Sequence, residues 1–376
     1  MTREDALATI TYLTRIELEP GALSGLPSFL AQFKMERPLM VTDQGVVSAG
    51  LLARLQRSAP AVSSVFDQTP QNPTETAVLA ALDRYREENC DGLVALGGGS
   101  SIDLAKALRL LVHHEEPLSH YAATAGGISK ITANMPPLIA IPTTAGTGSE
   151  VGRGAIINLE DGRKLGILSP HLLPSLALCD PELTLGLPPF LTAATGMDAM
   201  SHCLETYMSS AINPPANAIA LDGLTRAMRA LPKAVKDGGD LDARLDMMTA
   251  AMEGAMAFQK GLGAVHALTH PLGAIKDLNL HHGTLNAILM PVVLRFNRSV
   301  IGGKWDTLSN LMGGEPDRIL ETMNKDIGIP SGLNALGLEG THLDAVARAA
   351  LKDHCHATNP RLATEFEYRS LLEEAR

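Results

Sequence analysis

The chain has 376 residues, of which 45% are hydrophobic and 19% charged, a composition typical of an ordinary globular protein that is long enough for two domains. Its formal net charge of −10 argues against nucleic acid as a partner, because phosphate binding requires a basic face. No apolar run approaches the roughly eighteen residues that span a bilayer, and the first residues lack the apolar core of a signal peptide, so we expect a cytoplasmic protein with no membrane partner.

Short apolar runs alternate with helical patterns in the first half of the chain. Strands are predicted at 38–43, 61–66, 92–96, 137–141 and 175–180, and helices at 49–57 and 75–88. This alternation is typical of a parallel sheet with helices on both faces, in which ligands bind at the carboxyl ends of the strands. After about Pro189 only helical patterns continue. The break at Gly186-Leu187-Pro188-Pro189 therefore predicts an α/β domain over 1–187 and an all-helical domain over 188–376.

Two glycine-rich stretches follow predicted strands. Gly97, Gly98, Gly99 and Ser100 end one strand and open a helix, so their backbone N–H groups can face a phosphate. Residues 143–150, Thr-Thr-Ala-Gly-Thr-Gly-Ser-Glu, follow the next strand and add hydroxyl donors. Each stretch alone is equally typical of a tight turn. Together, on neighbouring parallel strands, they predict a diphosphate site.

One acidic residue, Asp43, ends the predicted strand 38–43. A carboxylate there can bind a ribose 2′-hydroxyl and repel a 2′-phosphate, and it can equally serve as a helix N-cap. In the usual dinucleotide fingerprint the acidic residue comes about 20 positions after the glycines. Here it precedes them, so spacing alone leaves both interpretations open.

Histidines and one aspartate cluster in the helical half of the chain. Asp198 and His202 are four residues apart, as are His266 and His270, and each pair lies on one face of a helix. His281 and His282 follow. A lone histidine on an apolar helix is usually a core residue, but burying this many imidazoles without partners is costly, whereas a shared divalent ion satisfies them. The spacing does not say which histidine stays outside the ion's ligand shell.

The motifs together resemble the iron-containing (group III) alcohol dehydrogenases. The matching segments are GGGSSIDLAKAL (97–108), PTTAGTGSEV (142–151), SPHLLPSLALCDPELT (169–184), GMDAMSHCLETY (196–207), VHALTHPLGA (265–274), HHGTLNAILMP (281–291) and NPR (359–361). They occur in the family's order over most of the chain. The resemblance implies a Rossmann-like nucleotide-binding domain, an all-helical domain of the dehydroquinate synthase-like type, and an active site between them.

The resemblance also assigns roles to individual residues. It implies Asp198, His202, His266 and His282 as metal ligands, with His270 outside the ligand shell and active in proton transfer. The cofactor residues that it implies are Gly97, Gly98, Gly99 and Ser100 at the pyrophosphate, Thr143, Thr144 and Ser149 in the nucleotide cleft, Asp43 as the position that favours NAD over NADP, and Asn158 and Lys164 near the nicotinamide.

The implied function is metal-dependent hydride transfer between NAD(H) and a small aliphatic alcohol or aldehyde, with hydroxyacids such as 4-hydroxybutyrate and their semialdehydes included. The expected ion is Fe²⁺, although an aspartate and three histidines also accept Zn²⁺. The resemblance implies a homodimer or larger homo-oligomer. Three alternatives stay open: a zinc enzyme of the glycerol dehydrogenase type, a metal-dependent hydrolase acting on a phosphorylated substrate, and a non-catalytic nucleotide-binding protein without metal.

Overall fold

A parallel sheet forms the first half of the molecule. The computed structural model describes residues 10, 12, 14–123, 126–159, 164–275, 278 and 280–376. The strands are β1 (Ile16–Leu18), β2 (Pro38–Val41), β3 (Ser64–Phe66), β4 (Gly92–Gly97), β5 (Leu138–Pro142), β6 (Gly154–Asn158), β7 (Lys164–Leu168) and β8 (Leu176–Cys179). Six of them form one sheet in the order β1-β8-β5-β4-β2-β3, and every pairing in it is parallel. The predicted α/β architecture is confirmed.

The sheet is covered on both faces, which explains its continuous apolar strands. In β4, Leu93 and Ala95 pack into the core on one face, whereas Val94 and Leu96 pack into the core on the other. A strand buried on both faces needs apolar residues at every position rather than at alternate ones. The accompanying helices are α1 (Leu26–Gln32), α2 (Gln44–Ser48), α3 (Leu51–Ser58), α4 (Glu75–Glu87) and α5 (Gly99–Leu111).

One predicted helix begins two residues later in the structure than the sequence pattern predicts. The sequence pattern predicts a helix over 49–57, but α2 ends at Ser48 and α3 starts at Leu51. Gly50 separates them with a φ of +75°, a left-handed conformation that favours glycine.

A β-hairpin was absent from the sequence prediction. Strands β6 and β7 pair antiparallel, outside the main sheet, with Asn158 opposite Lys164. Each strand buries alternate residues, among them Ile157 and Ile167. Five-residue strands carry a weak periodic signal, so the sequence pattern yields no prediction for this hairpin.

Helices joined by loops and short turns form the described chain from Pro189 onward. They are α6 (Pro189–Met208), α7 (Pro214–Lys236), α8 (Leu241–Ala257), α9 (Ala264–Leu272), α10 (His282–Ile301), α11 (Gly303–Met312), α12 (Pro316–Asp326), α13 (Leu343–Ala350) and α14 (Glu365–Glu374). Helix α6 lies at the centre, packed against α7, α8 and α10, and is buried from Gly196 to Met208. Within the described ranges, no helix is both long and apolar enough to cross a membrane.

Candidate active site

Four predicted ligands meet at one point between three helices. Helix α6 carries Asp198 and His202 on one face, α9 carries His266, and α10 begins at His282. The Nε2 atoms of these histidines lie 3.7, 3.9 and 3.6 Å, respectively, from Asp198 Oδ1. Ligand atoms held about 2.1 Å from a tetrahedral ion are separated by about 3.4 Å. Each distance to Asp198 Oδ1 is thus near that separation, and ligand-type atoms of Asp198, His202 and His266 also lie within 4.8 Å of one another.

Two imidazoles of this cluster have a lowered pKa, whereas the pKa of His266 is raised because the effect of burial is outweighed by the hydrogen bond and negative charge of Glu205 together with other carboxylates nearby. Burial lowers the pKa of His202 to about 4, against the opposing effect of Asp198. Burial and the neighbouring imidazoles lower the pKa of His282 well below its ordinary value. Both rings are thus neutral near pH 7, and a neutral imidazole has the lone pair that a metal ligand needs.

Asn286, one turn after His282 on α10, borders the same point. Its Nδ2 donates to Asp198 Oδ1 over 2.7 Å and lies 3.2 Å from His282 Nε2 and 3.4 Å from His266 Nε2. Its Oδ1 is buried without a hydrogen-bond partner among the described groups. Asp198 Oδ1 is therefore surrounded by buried polar side-chain atoms, an environment typical of a metal site.

A close crossing of two helices sets this geometry. An ideal Cβ on Gly283 would lie 2.0 Å from Ala194 O, so only glycine lets α10 approach α6 this closely. The preceding residue is His282, and the crossing brings its Nε2 to 3.6 Å from Asp198 Oδ1.

His270 lies beside the four predicted ligands, next to a carboxylate that the sequence interpretation did not include. Its Nδ1 donates to Asp353 Oδ2 over 2.8 Å, and its ring stacks on His282 at 5.8 Å and on His354 at 5.7 Å. Burial lowers the pKa of His270, while Asp353 opposes this. His270, Asp353, His354 and Cys355 form a second group, whose ligand-type atoms lie within 4.8 Å of one another. In the sequence, residues 353–355 lie shortly before the NPR motif at 359–361, and this proximity could have marked them as site residues.

Glu205 was also missed from the sequence. It lies on α6, one turn after His202 on the same face, and is buried. Its Oε2 accepts a hydrogen bond from His266 Nδ1 over 2.6 Å. Glu205 comes seven residues, or about two helical turns, after Asp198, and this spacing could have placed both on one helix face.

The two glycine-rich stretches pack against each other at the carboxyl ends of β4 and β5. Thr143 N donates to Gly97 O over 3.0 Å, and an ideal Cβ on Gly98 would lie 3.2 Å from Thr144 Oγ1. Helix α5 starts after Gly98 without a side-chain cap, so its first N–H groups are available to an anion. The structure thus brings together the residues predicted to hold a diphosphate.

The predicted cofactor serines make internal hydrogen bonds. Ser100 Oγ donates to Gln71 O at the edge of this loop region. Ser149 Oγ is buried, donates to Asp103 Oδ1 and accepts from Lys106 Nζ over 3.0 Å. Ser149 therefore fixes the loop after β5 to α5.

Asp43 caps a helix, as one of its two interpretations predicts. Its Oδ1 accepts from Val46 N over 3.0 Å at the start of α2, and its Oδ2 accepts from Ser101 Oγ over 3.2 Å. The carboxylate therefore lies beside the glycine-rich loop after β4.

Asn158 and Lys164 are the paired end residues of the β6–β7 hairpin, and Asn158 N also donates to Pro73 O over 2.8 Å. Burial lowers the pKa of Lys164, while Asp103, Asp353 and Asp198 oppose this. Lys164 thus lies within electrostatic range of both Asp103 on α5 and Asp198 on α6, whereas Asn158 pairs with it in the hairpin register.

Comparison with known proteins gives matches over almost the whole chain. The family described as iron-containing alcohol dehydrogenase matches residues 14–181, and the one described as Fe-containing alcohol dehydrogenase family, C-terminal, matches residues 192–376. A 4-hydroxybutyrate dehydrogenase from Cupriavidus necator is 53% identical, covering 98% of this chain and 100% of its own. A 1,3-propanediol dehydrogenase from Citrobacter freundii is 36% identical over 95% of each chain.

Solved structures agree with these sequence matches. A crystal structure of 1,3-propanediol oxidoreductase superposes with a TM-score of 0.93 at 34% identity, covering 98% of this chain and 100% of its own. A sulfoacetaldehyde reductase from Bifidobacterium kashiwanohense, solved in complex with NAD⁺, superposes with a TM-score of 0.90 at 27% identity, covering 98% and 99%.

Proposed function

The chain belongs to the iron-containing alcohol dehydrogenase family, and from this premise we propose that it interconverts 4-hydroxybutyrate and succinic semialdehyde. It is an NAD-linked alcohol or aldehyde oxidoreductase of the iron type that acts on CH–OH donors. One observation carries the choice of substrate: the 53% identity to a 4-hydroxybutyrate dehydrogenase extends over that protein's full length.

We assign the binding roles to residues that surround the site. Asp198, His202, His266 and His282 would hold the iron(II) ion. The cofactor would be held by Gly97, Gly98, Gly99 and Ser100 at the diphosphate, by Thr143, Thr144 and Ser149 along the cleft, by Asp43 at the ribose, and by Asn158 and Lys164 at the nicotinamide. When bound, the ion would supply Lewis acidity and the nicotinamide would supply the hydride donor or acceptor.

The proton step is proposed for His270. Because Asp353 holds its Nδ1, Nε2 is the ring atom left to exchange the hydroxyl proton of the substrate. Burial keeps this imidazole neutral near pH 7, so it can accept the proton during alcohol oxidation and return it during aldehyde reduction.

A matched pair of aldehydes tests the proposed substrate. Iron-loaded protein is assayed for NADH oxidation with succinic semialdehyde and with butyraldehyde, which has the same chain length without the carboxylate. We expect kcat/KM to be about tenfold or more higher for succinic semialdehyde, the effect of roughly 1.4 kcal/mol in transition-state binding. Equal values would contradict the substrate assignment.

Two variants test the ion site in the same assay. Asp198→Ala is expected to lose bound iron and turnover together. Asp306→Ala, an exposed residue at the start of α11, is the control and is expected to behave as the wild type. Full activity of Asp198→Ala would refute the assigned ligand set.

We also propose the domain division, assembly and location of the protein. Domains over 1–187 and 188–376 are supported by the two family matches, which end at residue 181 and resume at 192. A homodimer or larger homo-oligomer is supported by β1, which is an edge strand of the sheet that the described residues form and which another chain can extend. Light scattering tests the assembly, and cell fractionation tests the proposed cytoplasmic location.

A further inference from the structure

Glu205 makes a set of hydrogen bonds that reaches the ion site through His266. Its Oε1 accepts from Val265 N over 2.6 Å, and its Oε2 accepts from His266 Nδ1 over 2.6 Å and from His266 N over 3.4 Å. The Glu205 side chain is completely buried. Glu205 therefore binds both the backbone at the start of α9 and the imidazole of His266.

The N–H groups that face Glu205 restrict the type of side chain that position 205 can accommodate. The two backbone N–H groups are donors and cannot change roles, so both oxygens of residue 205 must accept. A carboxylate meets this requirement, and it then leaves the proton of the imidazole on Nδ1. The free lone pair of His266 is consequently on Nε2, the atom 3.9 Å from Asp198 Oδ1.

An amide at position 205 cannot satisfy the same groups. If its NH₂ faced Val265 N, two donors would be in contact. If its NH₂ faced His266 Nδ1, that nitrogen would have to accept, and the imidazole proton would move to Nε2. Either arrangement removes a hydrogen bond, and the second also blocks the atom that would bind the ion.

Tight packing keeps Glu205 in this position. An ideal Cβ on Gly263 would lie 2.9 Å from Glu205 Oε1 and 2.6 Å from Asn359 Oδ1, so glycine is required where α9 begins. Asn359 Oδ1 accepts from Ala264 N over 3.0 Å. His282 lacks a comparable constraint, since its Nδ1 is buried without a hydrogen-bond partner in the described part of the chain.

We propose that Glu205 is a positioning residue that fixes the tautomer and orientation of His266 and thereby sets how tightly the protein holds its ion. This inference rests on the proposed ligand set. It assigns Glu205 no contact with substrate or cofactor.

Metal affinity of Glu205→Gln tests the proposal. Zn²⁺ and Fe²⁺ are titrated into metal-free full-length protein in competition with a chromophoric chelator. We expect the dissociation constant to rise about 10- to 100-fold in Glu205→Gln, the usual effect of removing such a partner, and to recover partly in Glu205→Asp. Wild-type protein that binds no metal would instead refute the proposed function itself.

Asn359→Ala provides the matched control because it weakens the same helix start without touching a ligand residue. We expect it to lower the melting temperature of the metal-free protein while metal affinity stays within about threefold of the wild type, a difference under roughly 1 kcal/mol. Equal losses of metal affinity in Glu205→Gln and Asn359→Ala would overturn the proposal, because Glu205 would then act only as a helix cap. Wild-type affinity in Glu205→Gln would overturn it as well.

A measurement on the unaltered chain covers the case in which these variants do not fold. Long-range ¹H–¹⁵N spectra of metal-free wild-type protein distinguish the two imidazole tautomers, and His266→Gln identifies the His266 signals. The expected result is a proton on Nδ1. A neutral ring that carries its proton on Nε2 alone would overturn the proposal.

Discussion

Replacing Gly283 by alanine should separate His282 from the other proposed ligands. The added Cβ would lie 2.0 Å from Ala194 O and 3.3 Å from Asp198 Cβ, whereas ordinary contact begins near 3.4 Å. Relief of the contact with Ala194 requires α10 to move by roughly 1.4 Å at a position adjacent to His282. Metal ligand distances tolerate about 0.2 Å, so the displaced ring no longer completes the site. Overpacking of this kind also costs about 1–3 kcal/mol of stability.

The assay combines metal content, NADH oxidation and chemical unfolding of Gly283→Ala. Gly303→Ala is the matched control, because an ideal Cβ there meets no atom within 4 Å and the position is in helix α11. We expect the control to retain metal and activity and to gain up to about 1 kcal/mol, since alanine favours helix over glycine. A Gly283→Ala protein with full metal content and wild-type turnover would refute the reasoning.

Three further predictions concern the cofactor region and the ion site. Lys106→Met should destabilise the protein by about 1–3 kcal/mol in denaturant unfolding, because Gly152 O and Gly154 O would lose the buried ammonium that donates to them; an unchanged free energy of unfolding would contradict this. Asp43→Asn should keep the cap on Val46 but raise the kcat/KM ratio of NADPH to NADH about tenfold, and an unchanged ratio would limit Asp43 to capping. In metal-free protein, the pKa of His202 near 4 means that between pH 4 and 6.5 the unfolded chain binds a proton there and the folded chain does not. Stability should therefore rise with pH across this window by up to about 3 kcal/mol, and His202→Asn should flatten the rise in unfolding titrations.

Local sequence patterns were sufficient for the parallel sheet and for part of the ion site. Asp198 and His202 share a helix face because they are one turn apart, and the glycine-rich loops after β4 and β5 meet because parallel neighbouring strands end at the same edge. Asp43 illustrates a limit of this reasoning. Its capping of α2 agrees with one of two interpretations that its spacing allowed, and its predicted ribose contact stays a prediction.

Contacts between distant segments were beyond the reach of sequence patterns. Asp353 is 83 residues from His270, and Glu205 is 61 residues from His266, so no periodicity relates either carboxylate to its histidine. The choice among the histidines came from family resemblance, because helical spacing constrains only residues on the same helix. The hairpin that pairs Asn158 with Lys164 escaped prediction for a similar reason, since its two short strands stabilise each other through pairing rather than through a strong pattern of their own.

Anomalous diffraction at the iron absorption edge, from crystals of iron-loaded protein, tests the central claim most directly. The account predicts one strong peak about 2.1 Å from an Asp198 carboxylate oxygen and from Nε2 of His202, His266 and His282. A peak located instead among His270, Asp353, His354 and Cys355, or one that contacts fewer than three of the proposed ligands, would contradict it.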